Sequence, residues 1–203
     1  PIWVSINRPL DRNSINSELM DELLDLLDHL EQSACRAVVF SGADKIHFIG
    51  GADGVEMMRL DPEGAVGFSQ RIQGLFARME SSPLRNVAGI QGLCFGGGFE
   101  FALACDFRLA AEDSRIGLPE VKVGLIPGGG GTQRLTRLVG QGRALEMILS
   151  GTLYTGKEAG ERGLVHQVLP AEDLEAGVQR MLERVLRQPA HVLPLAKKSV
   201  LAA

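Results

Sequence analysis

Apolar residues recur along this chain at two periods, and the alternation between them predicts the order of its elements. Ile2 to Asn7 has the content of a strand, and Arg8-Pro-Leu-Asp-Arg-Asn-Ser14 follows with turn and cap residues. Leu19, Leu23, Leu26, Leu27 and Leu30 then return to one face, as a buried amphipathic helix requires. Cys35 to Ser41 predicts a short buried strand, Gly42 to Met57 an irregular segment, Glu63 to Met79 a second helix, and Arg85 to Gln91 another strand.

An apolar, glycine-rich run from Cys94 to Asp106 comes next. A strand at Phe107-Arg-Leu-Ala, the segment Ile116-Gly-Leu-Pro-Glu120 and a second glycine cluster, Gly128 to Gly131, follow it. From Gly131 onward the pattern is mostly helical. Leu174, Val178, Met181, Leu182 and Val185 make one stripe there, and Pro189 and Pro194 predict a break near the end. Strand, glycine loop and helix keep alternating, with no internal repeat and no linker, so the expected class is α/β in one domain over 1–203.

Composition narrows the function classes. With 203 residues, 45% of them hydrophobic, the chain can bury a substantial core. A net charge of −4 and an isoelectric point near 5.6 give no basic footprint for nucleic acid. Cys35, Cys94 and Cys105 are odd in number and lack CxxC spacing, which predicts reduced thiols and an intracellular, cytoplasmic protein. No apolar run approaches the roughly 20 residues of a membrane span, and the opening residues read as a strand instead of a signal peptide.

Two carboxylates stand out. Glu100 lies between Phe99 and Phe101, directly after Gly96-Gly-Gly98, and Glu120 follows Leu118-Pro119 ahead of another apolar stretch. A carboxylate in such surroundings is paired with an arginine, protonated, or at a site, and two of them can form a general acid/base pair. The glycine triplet either makes a tight strand-to-helix turn or presents free N–H groups to developing negative charge. Neither glycine cluster has a nucleotide-binding spacing, and there is no HExxH and no GxSxG elbow. His29, His47, His166 and His191 therefore read as surface or structural groups, and Trp3 and Tyr154 as packing residues. Phe68, Phe76 and Met79 either border a pocket or pack in the core, and their helical spacing favours the core.

Four motifs in order carry a resemblance. They are Asn7-Arg-Pro9 with Asn13, Phe48-Ile-Gly-Gly-Ala-Asp-Gly-Val-Glu-Met57, Gly96-Gly-Gly-Phe-Glu100, and Pro119-Glu-Val-Lys-Val-Gly-Leu-Ile-Pro-Gly-Gly-Gly-Gly-Thr-Gln-Arg-Leu135. Over essentially its whole length the chain resembles the crotonase superfamily, and within it the enoyl-coenzyme A hydratases. The Phe48 and Leu118-Pro119-Glu120 segments look especially like the hydratase part of the multifunctional fatty-acid oxidation enzymes.

The resemblance implies a spiral of ββα units over 1–140 and a mostly helical region over 141–203. It also implies homotrimers or hexamers, and helices beyond Ala203 that close the acyl pocket and the trimer, so that the chain is expected to be part of a longer protein. The implied reaction is reversible addition of water to a 2-enoyl-CoA, giving 3-hydroxyacyl-CoA, as in fatty-acid β-oxidation. No metal or other cofactor is implied, coenzyme A being part of the substrate.

By motif position the oxyanion donors would be the N–H groups of Ala52 and Gly97, with Glu100 as base and Glu120 as acid. Ala52, Asp53, Gly54 and Val55 would run beside the thioester and pantetheine arm, and the Arg8–Asn13 loop beside the adenine. Val55 stands where many relatives carry a basic residue, which leaves Arg12, Arg59 or another subunit for the phosphates. Isomerisation, dehydration of a carrier-protein thioester, thioester hydrolysis and a non-catalytic assembly role are the alternatives on the same scaffold.

Overall fold

Three of the long strands, β2 (Ala37–Gly42), β4 (Arg85–Ile90) and β6 (Phe107–Ala111), are each followed by a second, shorter strand before a helix begins. The structure, a computed structural model, describes residues 1–202. β1 (Ile2–Ile6) leads to α1 (Ser17–Glu31), whose first turn is capped by the Asn16 side chain accepting from the Leu19 N–H at 2.9 Å. Three units follow. β2 (Ala37–Gly42) and β3 (His47–Ile49) precede α2 (Gly54–Met57) and α3 (Pro62–Ser81). β4 (Arg85–Ile90) and β5 (Leu93–Phe95) precede α4 (Gly97–Ala104). β6 (Phe107–Ala111) and β7 (Arg115–Gly117) precede a 3-10 turn at Glu120–Val123 and α5 (Gly131–Val139). Then come α6 (Gln141–Ser150), β8 (Tyr154–Thr155), α7 (Gly156–Glu161), β9 (Gln167–Leu169), α8 (Leu174–Leu186) and α9 (Val192–Leu201).

The strands sort into two sheets, β1-β2-β4-β6-β9 and β3-β5-β7-β8, parallel throughout except for the antiparallel pair β7–β8. Every unit thus adds one strand to each sheet and steps one place along, which is the expected spiral of ββα units. Alternate residues of the long sheet face opposite ways. Val38, Phe40, Ala88 and Ile90 enter the main core, while Ala37, Val39, Val87 and Leu109 meet Leu174, Val178, Met181 and Leu182 of α8. The helical stripes predicted for α1 and α8 are the buried ones, with Leu26 and Val185 half-covered at their margins.

Some readings are corrected. The segment Gly42 to Met57, expected to be irregular, contains β3 and α2, and the helical region after 140 also contains β8 and β9. Strands of two or three residues carry too few positions to display a period. Pro189 lies in the break between α8 and α9, but Pro194 sits inside the first turn of α9, where a missing N–H forfeits no helical bond. Tyr154 is buried under the Arg162 guanidinium, 4.2 Å from the ring centroid, whereas Trp3 is only partly covered. All three cysteines are unpaired, Cys35 half-buried and the others buried. Among the described residues, no helix is long and apolar enough to cross a membrane and no His/Cys/Asp/Glu group could hold a metal ion.

One ring joins the layers. Phe101 of α4 makes edge-on contacts with Phe40 of β2, Phe48 of β3 and Phe76 of α3, at centroid distances of 5.0, 6.2 and 5.9 Å. Phe101→Ala is expected to lower stability by about 3–5 kcal/mol, because three elements lose a shared partner and cannot all collapse into the cavity. Phe101→Leu should lose less. Equilibrium unfolding in urea reads both values, and a Phe101→Ala loss below about 1 kcal/mol contradicts the role given to this ring.

Candidate active site

The motifs converge because of strand register. β5 pairs with β7 so that Phe95 lies beside Gly117, and β3 pairs with β5 so that Ile49 lies beside Cys94. The three strands are parallel, so the chain leaves all of them at the same edge of the small sheet. Gly50–Gly54, Gly96–Glu100 and Pro119–Glu120 therefore meet outside the carboxyl ends of neighbouring strands, the usual place for a site in parallel sheets.

A cavity of about 380 Å³ opens there. Ala52, Gly54, Gly97, Glu100 and Glu120 line it, and Phe68, Ile72, Leu125 and Ile126 form much of its apolar wall. A larger hollow of about 590 Å³ lies at the other end of α4, lined by Leu103, Ala104 and Cys105, and contains neither glutamate nor either glycine turn. The smaller cavity is the one with convergent chemistry.

Glycine sets the approach of α4. Gly96 has φ +56°, in the region that side chains disfavour, and a Cβ on Gly98 would land on the carbonyl oxygen of Ile49. The first turn of the helix can therefore press against β3. A Cβ built on Gly97 would lie 3.0 Å from the Ala52 nitrogen, so the two amides are close neighbours. Nearby groups are satisfied: the Gly96 N–H donates to Gly117 O at 3.0 Å, and the Phe99 and Glu100 N–H groups donate to Gly96 O at 2.9 Å. The N–H groups of Ala52 and Gly97 have no acceptor among the described residues. Such a pair can stabilise negative charge on an oxygen seated between them.

The two glutamates are held in opposite ways. Glu100 is 2% exposed, and its Oε1 accepts from the Gly129 N–H at 2.9 Å and the Gly131 N–H at 2.7 Å. Burial raises its pKa, while those two N–H groups and the Arg134 charge pull it back, leaving it above the ordinary value. Both oxygens of Glu120 are buried with no hydrogen-bond partner among the described residues. Burial, with the Glu100 charge adding to it, pushes Glu120 up to about 7. A carboxylate accepting hydrogen bonds beside one that holds its proton near neutrality is an acid/base pair separated by environment.

Other candidates sit elsewhere. Asp53 faces away from the cavity: its Oδ1 accepts from the Val55 and Glu56 N–H groups at 3.0 and 3.1 Å, capping α2, and its Oδ2 pairs with Arg8 at 3.2 Å. Val55 is exposed and outside the cavity lining, and Arg12 and Arg59 are exposed as well. The Arg8–Asn13 loop adjoins the Phe48–Met57 motif, with Arg12 O accepting from the Gly50 N–H at 2.9 Å. Of the three α3 residues assigned to the core, Phe76 and Met79 stay there, while Phe68 also reaches the cavity wall.

Sequence reasoning missed three residues behind Glu100. Ser69 Oγ and Gln73 Nε2 both donate to Gly128 O, at 2.8 and 2.7 Å, and Arg134 Nη1 donates to Gly129 O at 3.0 Å. Arg134 also pairs with Glu80 at 3.0 Å. The signal available for the two on α3 was the spacing of Ser69, Gln73 and Glu80, four and seven residues apart, a polar margin beside the apolar stripe.

Comparison with known proteins places the sequence and the fold in one family. The sequence model of the Enoyl-CoA hydratase/isomerase family matches residues 2–203. A putative enoyl-CoA hydratase/isomerase of Bacillus subtilis, YngF, is 39% identical over 172 residues, 84% of this chain and 66% of that protein. The mouse mitochondrial enoyl-CoA hydratase domain-containing protein 2 is 37% identical over 202 residues, 97% of this chain and 68% of its own length. The chain thus spans about two thirds of these curated relatives. The crystal structure of an enoyl-CoA hydratase from Bacillus anthracis superposes with a TM-score of 0.94 at 37% identity, covering 98% of this chain and 77% of that one. A likeness that extends through every unit of the spiral, in sequence and in fold, makes this chain a member of the enoyl-CoA hydratase/isomerase family of the crotonase superfamily.

Proposed function

We propose that the chain carries the hydratase form of this family's chemistry, reversible addition of water to a 2-enoyl-CoA to give 3-hydroxyacyl-CoA. The observation that carries the reading is the pair of differently held carboxylates at one cavity. Double-bond isomerisation moves a single proton and calls for a single carboxylate, whereas water addition needs one group to take a proton and another to give one.

In this reading the thioester oxygen seats against the N–H groups of Ala52 and Gly97. Water attacks the β-carbon, and the negative charge that builds on the thioester oxygen meets those two donors. Glu100 takes the proton of the attacking water, and Glu120 delivers its own proton to the α-carbon. Glu100 ends protonated and Glu120 ionised, and exchange with solvent restores both. The addition changes the substrate by one water and moves no electrons to a carrier, so the reading assigns no cofactor beyond the coenzyme A of the substrate. Trimeric or hexameric assembly and a place in fatty-acid β-oxidation rest on the resemblance and belong to the same proposal.

Loss of the conjugated-thioester absorbance of crotonyl-CoA tests the reading directly. Glu100→Gln and Glu120→Gln are each expected to lower kcat by about 10²–10⁴-fold. A folded Glu100→Gln protein that hydrates at the wild-type rate would sink the two-carboxylate mechanism. The pH profile should be bell-shaped in kcat/KM. Its alkaline limb falls through about 7 as Glu120 loses its proton, and its acid limb lies above 4.5 as Glu100 gains one. The alkaline limb is expected to be absent from the residual activity of Glu120→Gln.

Stability gives an independent check. The folded pKa of Glu120 lies above its unfolded value near 4.5, so the stabilisation from its bound proton is complete below that value and lost as pH rises through about 7. Glu120→Gln should therefore melt above wild type at about pH 8, with the gap closing toward pH 4. Equal melting temperatures at both pH values would show that burial does not hold the Glu120 proton up to about pH 7.

A further inference from the structure

The turn that holds Glu100 has no side chains of its own. Gly128 to Gly131 are four consecutive glycines, and Gly130 has φ +98°. A run of this kind is the least self-ordering backbone available. Two of its N–H groups nonetheless meet one carboxylate oxygen at 2.9 and 2.7 Å.

What orders the turn lies on its opposite side. A trans peptide is planar, with its carbonyl and its N–H pointing in opposite directions. The Gly128 carbonyl and the Gly129 N–H belong to one such peptide. Ser69 and Gln73 both donate to that carbonyl, and the N–H on the other side meets Glu100. In the next peptide the Gly129 carbonyl accepts from the Arg134 guanidinium. In the one after, the Gly130 carbonyl accepts from the backbone N–H groups of Gln133 and Arg134, and the Gly131 N–H meets Glu100. Three successive peptides are each fixed by their carbonyls.

We infer that Ser69, Gln73 and Arg134 are positioning residues for Glu100, gripping the carbonyls of the glycine turn so that its N–H groups stay aimed at the carboxylate. That Glu100 is the base rests on the hydratase reading, whereas the ordering of the turn stands on geometry alone. Ser69 and Gln73 come from α3, and Arg134, only 11% exposed, is tied to the same helix through Glu80. Among charged groups, Arg134 of α5 and Glu120 of the 3-10 turn act on Glu100 or are acted on by it. Lys122 on that turn lines the same cavity, and Glu80 is engaged by Arg134. Ser69 and Gln73 are neutral, so removing them alters no charge.

The test is a titration of the Glu100 carboxyl by 13C NMR, assigned with Glu100→Gln, with crotonyl-CoA hydration measured beside it. Gln73 is exposed, so Gln73→Met should fold, and Ser69→Thr keeps the hydroxyl. In the Ser69→Ala/Gln73→Met double variant the Glu100 midpoint is expected to move upward, since an N–H bond that favours the charged form is weakened. Its kcat should fall about 10- to 100-fold with a smaller change in KM, and the acid limb should move with the midpoint. Ser69→Thr should stay close to wild type, and Gln73→Met should fall between wild type and the double variant. A folded double variant whose Glu100 titrates as in wild type overturns the inference, even where melting temperature or rate drops. Failure of the wild type to hydrate crotonyl-CoA would count against the hydratase reading and leave the titration to decide the positioning.

Discussion

The parallel register of β3, β5 and β7 is the constraint on which the site depends. Each strand is only three residues long, so the small sheet has few ladder hydrogen bonds with which to hold itself. Its geometry is fixed from outside by α4, which presses against β3 where Gly98 offers no side chain and drives Phe101 among rings from β2, β3 and α3. A sideways shift of any one strand would separate Ala52 from Gly97, or Glu100 from Glu120. The core and the site are therefore one packing problem.

Within that frame the two carboxylates receive unequal treatment. Taking a carboxylate out of water costs several kcal/mol unless hydrogen bonds or opposite charge offset it. Glu100 has both, through Gly129, Gly131 and Arg134. Glu120 has neither, and the charge of Glu100 adds to its burden, so it relieves the cost by holding a proton. Each environment supplies the protonation state that the other residue lacks. A fold selected for stability alone would replace Glu120 with a neutral side chain, and this is the physical reason to connect the residue with chemistry.

Much of this was legible in the sequence, where the physics is local and repeated. The leucines of α1 and the stripe of α8 return often enough to define a face, and both faces are buried as read. Glu100 and Glu120 were visible because a charge among apolar neighbours breaks a pattern, and the glycines beside Glu100 were visible because they cluster. β3 was hidden by its shortness. The engagement of the Asp53 side chain was not legible, because its place in a motif says nothing about that side chain, which is occupied by the N-terminus of α2 and by Arg8. Ser69, Gln73 and Arg134 look like ordinary polar residues of amphipathic helices, and only the fold reveals that carbonyls of a glycine turn lie within their reach.

That last group shows how a core transmits precision to a site. The apolar face of α3, with Phe68, Ile72, Leu75, Phe76 and Met79 buried, fixes the rotation of the helix about its own axis. Ser69, Gln73 and Glu80 lie at the margin of that face, so their positions are set by the same packing without any further ordering of the chain. Glycines 128–131 supply a backbone that can approach Glu100 closely, at the expense of any rigidity of their own. The helix margin returns the rigidity through the carbonyls, and the planar peptide carries it to the N–H groups. A flexible turn and a rigid helix together thus do what neither does alone. They bring two donors to a buried carboxylate, and the turn itself adds no side chain to the cavity that the substrate is proposed to occupy.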